Sequence, residues 1–275
     1  MAKTTWQDLL NPGAAGDFFT RRNIPAFNPA TGEYSRANAL WLAELSRLVY
    51  RPDIEEMASP PQPVRKLYLE KAQLRQRRFF YSKETSTQAF LVEPLDSPKF
   101  GALVFRGTEQ NPKDFISDIK LNLTPISASD KAVHEGFAEA LDSVWAEINR
   151  ELSLVNYPVF YTGHSLGAAL ATLAASRRAP KAVYTFGSPL VGNSAFVASI
   201  AHIPVHRVVD DQDAVTWVPP EILGYRHAGK LQLLSDPDKI SLLDPRTWYK
   251  IWPFGSPPKP LADHAPVNYV DRIIL

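Results

Sequence analysis

The chain has 275 residues, 45% of them hydrophobic and 21% charged, which suits one large α/β domain or two small ones. Basic residues number 30 and acidic ones 29, so nothing in the charge calls for nucleic acid or an anionic membrane as the main partner. There is no cysteine, which excludes disulfides, thiolate nucleophiles and cysteine-bound metals.

The first residues, MAKTTWQDLLNPGAAGDFFTRR, hold no continuous apolar stretch, because Gln7, Asp8, Asn11 and Asp17 interrupt it. No run approaches the roughly 18 apolar residues of a membrane span. Read literally, this is a cytoplasmic chain with neither signal peptide nor transmembrane helix, export by a non-classical route staying open. Nothing in the pattern specifies an oligomer.

Residues 1–35 show no steady period and read as an irregular arm. From Arg36 the spacing of Ala37, Trp41, Leu45 and Leu48 sets one helical stripe, and Pro52 stops it. Prolines 52, 60, 61 and 63 make residues 51–64 a loop. AFLVE (89–93) and GALVF (101–105) read as two strands, joined too tightly for a crossover and therefore antiparallel. Phe137, Leu141, Val144 and Ile148 return to helical spacing. PVFYTG (158–163) reads as a strand and SLGAALATLAASRR (165–178) as a helix; AVYTFG (182–187) and PVHRVV (204–209) read as further strands. From Ser165 onward strands alternate with helices, which implies parallel pairing. The expectation is a single α/β domain with a mixed, mostly parallel central sheet flanked by helices.

Gly163-His164-Ser165-Leu166-Gly167 is a GxSxG pentapeptide, weak alone but set between a strand and a helix as a nucleophile elbow requires. Such a turn strains the serine backbone and needs small residues two positions to either side. The helix then aims its N-terminus at the reacting centre, leaving the Leu166 N–H to bind an oxyanion. The bland alternative is a serine that only caps a buried helix.

GHSLG, its alanine-rich continuation and YTFGSPLVGN (184–193) together resemble the class 3 triacylglycerol lipases, the fungal-type lipase family. FRGT (105–108), DFISD (114–118) and VHEGF (133–137) resemble, in order, that family's oxyanion turn, the short helix capping its site and its H-x-G-F element. The arm and residues 235–260 match nothing in the family pattern. The resemblance implies the α/β-hydrolase fold, with a lid over the site, and a Ser-Asp-His triad needing no cofactor or metal. The lid candidate is 109–121, whose apolar residues are only Phe115, Ile116, Ile119 and Leu121.

In this fold the acid and then the histidine follow the serine. Of histidines 134, 164, 202, 206, 227 and 264, only His227 and His264 fit that order. ADHAPVNYV around His264 resembles the family's D-H-x-x-x-x-Y signature, whereas His227 reads as structural. The acid lies after PVHRVV, among Asp210, Asp211 and Asp213. Asp213-Ala214-Val215 followed by Pro219-Pro220 fits the family pattern best; Asp211 and the outside competitor Asp263 stay open. Thr108 in FRGT is the second oxyanion donor that the resemblance implies.

A triad names the reaction and not the substrate. The resemblance implies acylglycerol hydrolysis through an acyl-enzyme at a lipid–water interface. A phospholipase A or a soluble carboxyl or feruloyl esterase is the alternative, and a non-catalytic binding module of the same fold a remote one. His164, Phe115, Trp248 and Trp252 are candidate substrate-binding side chains. The aromatic segment 248–254 reads either as an acyl channel or as core packed on the arm.

Overall fold

The computed structural model describes residues 4–52, 63–97, 99–108, 111–118, 122–126, 130–234 and 256–274. Helix α1 (Trp6–Leu10) and a 3₁₀ turn at Pro12–Ala14 give the N-terminal arm more order than its composition suggests. A capping box between Thr5 and Asp8 nucleates the short helix. There follow α2 (Arg36–Leu48), α3 (Arg65–Lys71), β1 (Leu74–Tyr81), β2 (Gln88–Pro94), β3 (Gly101–Phe105), α4 (Pro112–Asp118), β4 (Leu123–Pro125), β5 (Ala132–His134) and α5 (Glu135–Leu152). The second half holds β6 (Val159–His164), α6 (Leu166–Arg177), β7 (Ala182–Phe186), β8 (Gly192–Asn193), α7 (Ser194–Ser199), β9 (Val205–Val209), β10 (Tyr225–Arg226), β11 (Lys230–Leu233), α8 (Lys259–Ala262) and α9 (Pro266–Arg272).

Among the described residues the main sheet has the order β1-β2-β3-β6-β7-β9-β11. The first two pairings are antiparallel, and every pairing from β3 to β11 is parallel. A small second sheet, β10-β8-β5-β4, sits apart from it. Both faces of the main sheet are covered, so its central strands are apolar throughout and do not alternate with polar residues. Along β3 the faces nevertheless alternate strictly. Leu103 and Phe105 join the core beneath α5 and α6, while Ala102 and Val104 join the core beneath α2 and α9.

Helix α5 buries Phe137, Leu141, Val144 and Ile148, the stripe its sequence spacing marks. Helix α2 differs. Ala37 and Trp41 lie on its less buried side, and Asn38 through Leu40 and Leu42 through Leu48 are buried. The helix is packed between the sheet and the arm, so its polar residues must be satisfied inside. Arg47 pairs with Glu44 at 3.0 Å, and Ser46 bonds Thr162 at 3.0 Å. Strand β1 is too rich in arginine to read as a core strand and was not anticipated. It is the edge of the sheet, where charge is tolerated and blocks further pairing. No helix among the described residues is long and apolar enough to cross a membrane.

Candidate active site

Strand β6 runs directly into Ser165, whose backbone (φ 59°, ψ −128°) lies in a region that costs a non-glycine residue of order 1–3 kcal/mol. The turn is that sharp because α6 folds back against the sheet. A methyl group at Gly163 would stand 2.3 Å from the Gly167 carbonyl, and one at Gly167 would stand 2.2 Å from the Phe105 carbonyl oxygen. Both glycines of the motif are therefore demanded by contact. The strain is held by the parallel ladder on both sides of β6 and by the Ser165 N–H donating to the Phe186 carbonyl at 3.0 Å.

Thr108, half-buried, follows β3, the strand that pairs with β6. Gly107 before it packs so tightly that a methyl group there would meet the His164 carbonyl oxygen at 2.7 Å. The turn carrying Thr108 is thus pressed against the elbow. Leu166 opens α6, so its N–H has no partner within the helix and is available to an anion.

Of the aspartates after β9, Asp213 reaches His264. His264 Nδ1 lies 2.9 Å from Oδ1 and 2.8 Å from Oδ2. Tyr269 donates to Asp213 Oδ2 at 2.5 Å, and the Val215 N–H donates to Oδ1 at 2.9 Å. Gly187, at φ +59°, closes the back of the pair; a methyl group there would stand 2.5 Å from Asp213 Oδ2 and 2.9 Å from His264 Nδ1. The rival acids are engaged elsewhere. Asp210 pairs with Arg272 at 2.5 Å, Asp211 with Lys259, and Asp263 with Arg272 at 3.0 Å and Lys259 at 2.7 Å. Burial pushes the Asp210 carboxyl up to about 7 even with Arg272 opposing it. His227 bonds the Thr216 carbonyl at 2.9 Å, and burial pulls its imidazole down to about 4.

Two substrate-binding assignments need correction. His164 has no surface to offer a substrate: it is 3% exposed and both ring nitrogens are bonded within the protein, Nδ1 to the Tyr50 hydroxyl at 3.0 Å and Nε2 to the His264 carbonyl at 2.7 Å. Phe115 points into the main core under α5 and α6 and is 8% exposed. Its neighbour Ile116 on α4 packs against the small cluster of Leu9, Ala214, Leu261, Ala265 and Val267, in which Ala214 and Ala265 directly follow Asp213 and His264. Ser165, Asp213 and His264 are exposed by only 3%, 0% and 2%. Trp248 and Trp252, with the rest of the 248–254 segment, fall outside the described residues.

Sequence reasoning passed over Tyr50, Gly187, Tyr269 and Arg272. Tyr269 carried a signal, as the tyrosine of the D-H-x-x-x-x-Y pattern, and Gly187 carried a weaker one, as the glycine ending a strand. Tyr50 carried none. A serine on a strained strand-to-helix turn, an imidazole held by a buried carboxylate and N–H groups at the end of a strand and the start of a helix are the kinds of group an acyl-transfer site needs.

Residues 102–223 match the family model described as Lipase (class 3). A lipase of Rhizomucor miehei is 32% identical over 165 residues, covering 53% of this chain and 45% of that protein. A phospholipase A1-II 1 of Oryza sativa subsp. indica is 28% identical over 214 residues, covering 62% of this chain and 54% of that protein. The chain therefore spans only about half the length of these curated relatives. The crystal structure of a lipase from Rhizopus microsporus var. chinensis superposes with a TM-score of 0.62 at 27% identity, over 82% of this chain and 84% of that one. The architecture is the α/β-hydrolase fold, and the segment 102–223, which carries Ser165 and Asp213, is similar to the class 3 lipases.

Proposed function

We propose that this protein hydrolyses carboxylic esters through an acyl-enzyme on Ser165, with acylglycerols presented at a lipid–water interface as its substrate class. The observation that carries the reading is the Asp213–His264 pair, buried and doubly hydrogen-bonded, held beside a strained serine at the carboxyl edge of a parallel sheet.

In this mechanism His264 takes the proton of the Ser165 hydroxyl as the oxygen attacks the ester carbonyl. Asp213 fixes the imidazole tautomer and stabilises the imidazolium that forms. The Leu166 N–H and the Thr108 N–H or hydroxyl receive the developing oxyanion. His264 then returns the proton to the leaving alcohol, and water hydrolyses the acyl-enzyme by the same steps in reverse roles. Ser165 is 3% exposed, and in this reading α4 is the lid that moves aside on lipid before an acyl chain reaches it.

The test is an assay of wild type and Ser165→Ala on tributyrin below and above its solubility limit, with an olein emulsion alongside. The lipase reading expects activity that rises as the emulsion forms, extends to olein and is lost in the mutant. Activity confined to dissolved short-chain ester would move the protein to the soluble esterases. A second reading, hydrolysis of phospholipid, is favoured by the relative named as a phospholipase A1. Release of fatty acid from phosphatidylcholine vesicles in preference to olein would establish it.

A further inference from the structure

Tyr50 and His164 form a short chain of hydrogen bonds ending on the backbone of His264. The His264 carbonyl can only accept, so His164 Nε2 carries the proton and donates at 2.7 Å. Burial, and after it the nearby His264, hold His164 well below the usual histidine range, so its ring is neutral. Nδ1 is then an acceptor, and the Tyr50 hydroxyl donates to it at 3.0 Å. The same hydroxyl abuts the oxyanion turn: a methyl group at Gly107 would stand 2.0 Å from it.

The position of His264 in the chain gives this arrangement its importance. The residue sits between α8, four residues long, and α9, seven residues long. Helices that short do not hold a backbone rigid by themselves. Locally His264 has one backbone bond, its N–H to the Leu261 carbonyl at 3.1 Å. Its ring is held by Asp213, but a ring hydrogen bond fixes orientation and leaves the backbone free to shift. The bond from His164 supplies the missing anchor. His164 is also the residue immediately before Ser165, and its ring centre lies 4.3 Å from that of His264. The peptide segment that sets the nucleophile therefore also sets the base.

We infer that Tyr50 and His164 are positioning residues: the Tyr50–His164–His264 carbonyl chain locks the general base in register with the nucleophile elbow and the oxyanion turn. This rests on the hydrolase reading above. Misplacement of a reacting group by about 1 Å can cost on the order of 10²-fold in rate. The effect should fall on the chemical step, with little change in ester binding, because both side chains are buried and bonded within the protein.

The test compares Tyr50→Phe, His164→Leu, His164→Gln and His164→Asn in the full chain. The readouts are kcat and KM on p-nitrophenyl butyrate, the second-order rate of Ser165 labelling by a fluorophosphonate, and the melting temperature. Glutamine places its amide nitrogen where Nε2 stood and can still donate to the His264 carbonyl; asparagine cannot reach it. The expected result is a fall in kcat and in labelling rate of about 10- to 100-fold for His164→Leu and His164→Asn. Tyr50→Phe should lose less, KM should stay within about twofold, and His164→Gln should recover most of the rate. Equal impairment in the Gln and Asn variants, or unchanged labelling in a folded His164→Leu, would overturn the proposal. If His164→Leu does not fold, the Gln and Asn pair and Tyr50→Phe decide it. Fluorophosphonate labelling that survives Ser165→Ala would instead sink the hydrolase reading, and the positioning role with it.

Discussion

The hydroxyl of Tyr269 donates to Asp213 Oδ2 at 2.5 Å while accepting from the Asp210 N–H at 3.3 Å, both bonds fully buried. Among the described residues it is the one side chain besides His264 that bonds that carboxylate, and it comes from the helix that follows His264. Hydrogen bonds to a charged group contribute about 1.5–3 kcal/mol. Tyr269→Phe keeps the ring packing against Phe186 and removes this bond together with the longer one from the Asp210 N–H. The expected outcome is a kcat lower by roughly 10-fold or more with little change in KM, read on p-nitrophenyl butyrate.

Asp213 and Asp211 are two residues apart and differ in partners. Asp213→Asn should lower kcat by about 10⁴-fold, because an amide can hold the imidazole in the wrong tautomer. Asp211 pairs with the half-exposed Lys259, so Asp211→Asn should stay within about twofold. A full-rate Asp213→Asn would remove Asp213 from the acid role.

Glycine at 167 is required by contact with β3. Gly167→Ala would drive a methyl group to 2.2 Å from the Phe105 carbonyl oxygen, where backbone cannot yield. Overpacking of this kind costs about 1–3 kcal/mol or more. Gly16→Ala, with nothing within 4 Å of the added methyl, is the control and should shift stability by less than about 0.5 kcal/mol. Denaturant melts of the two variants compare them directly.

Asp210 is fully buried, with its carboxyl raised from 3.8 to about 7 chiefly by desolvation. The folded state therefore binds this proton more tightly than the unfolded chain does. Between the two pKa values the protein loses stability from this group as pH rises. Asp210→Asn keeps an acceptor for Arg272 and cannot ionise. Its melting temperature relative to wild type should climb from pH 5 to pH 8. His227 acts with the opposite sign: its pKa is depressed to about 4, so its contribution is present above the unfolded value of 6.5 and is lost as pH falls through 4. Because both variants keep His227, the difference between their melting curves isolates Asp210.

Ile116 on α4 packs against the small cluster that includes Ala214 and Ala265, next in sequence to Asp213 and His264. Ile116→Ser removes apolar contact worth about 1–2 kcal/mol in the covered state. A shift of that size moves a two-state opening equilibrium by roughly 10-fold. Activity on dissolved p-nitrophenyl butyrate should rise several-fold, and the gain on forming an emulsion should shrink. Unchanged soluble-ester activity would mean that α4 does not gate the site.

The central strands, α5, α6 and the serine turn were legible in the sequence because their signals are local. Apolar runs of five residues bounded by turn residues mark strands covered on both faces, a period of 3.6 marks α5, and two glycines around a serine between strand and helix mark a turn that tolerates nothing larger. What the sequence could not decide were choices among residues equivalent in local pattern. Asp210, Asp211 and Asp213 all follow the same strand; their partners Arg272, Lys259 and His264 lie some 48 to 62 residues further on and meet them only when α8 and α9 dock. Tyr50 and His164 are 114 residues apart, and His164 and His264 are 100 apart. Local spacing assigned His164 to the substrate side of the elbow, and burial against α2 and α9 turned it inward. Helix α2 misled for a related reason: the stripe through Ala37 and Trp41 is real, but a helix packed on most of its sides has no single buried face for a period to reveal. The sequence by itself determined that a nucleophile elbow forms and where. Only the tertiary structure decided which aspartate meets His264 and which hydrogen bonds support the pair, because those contacts join segments that the chain keeps far apart.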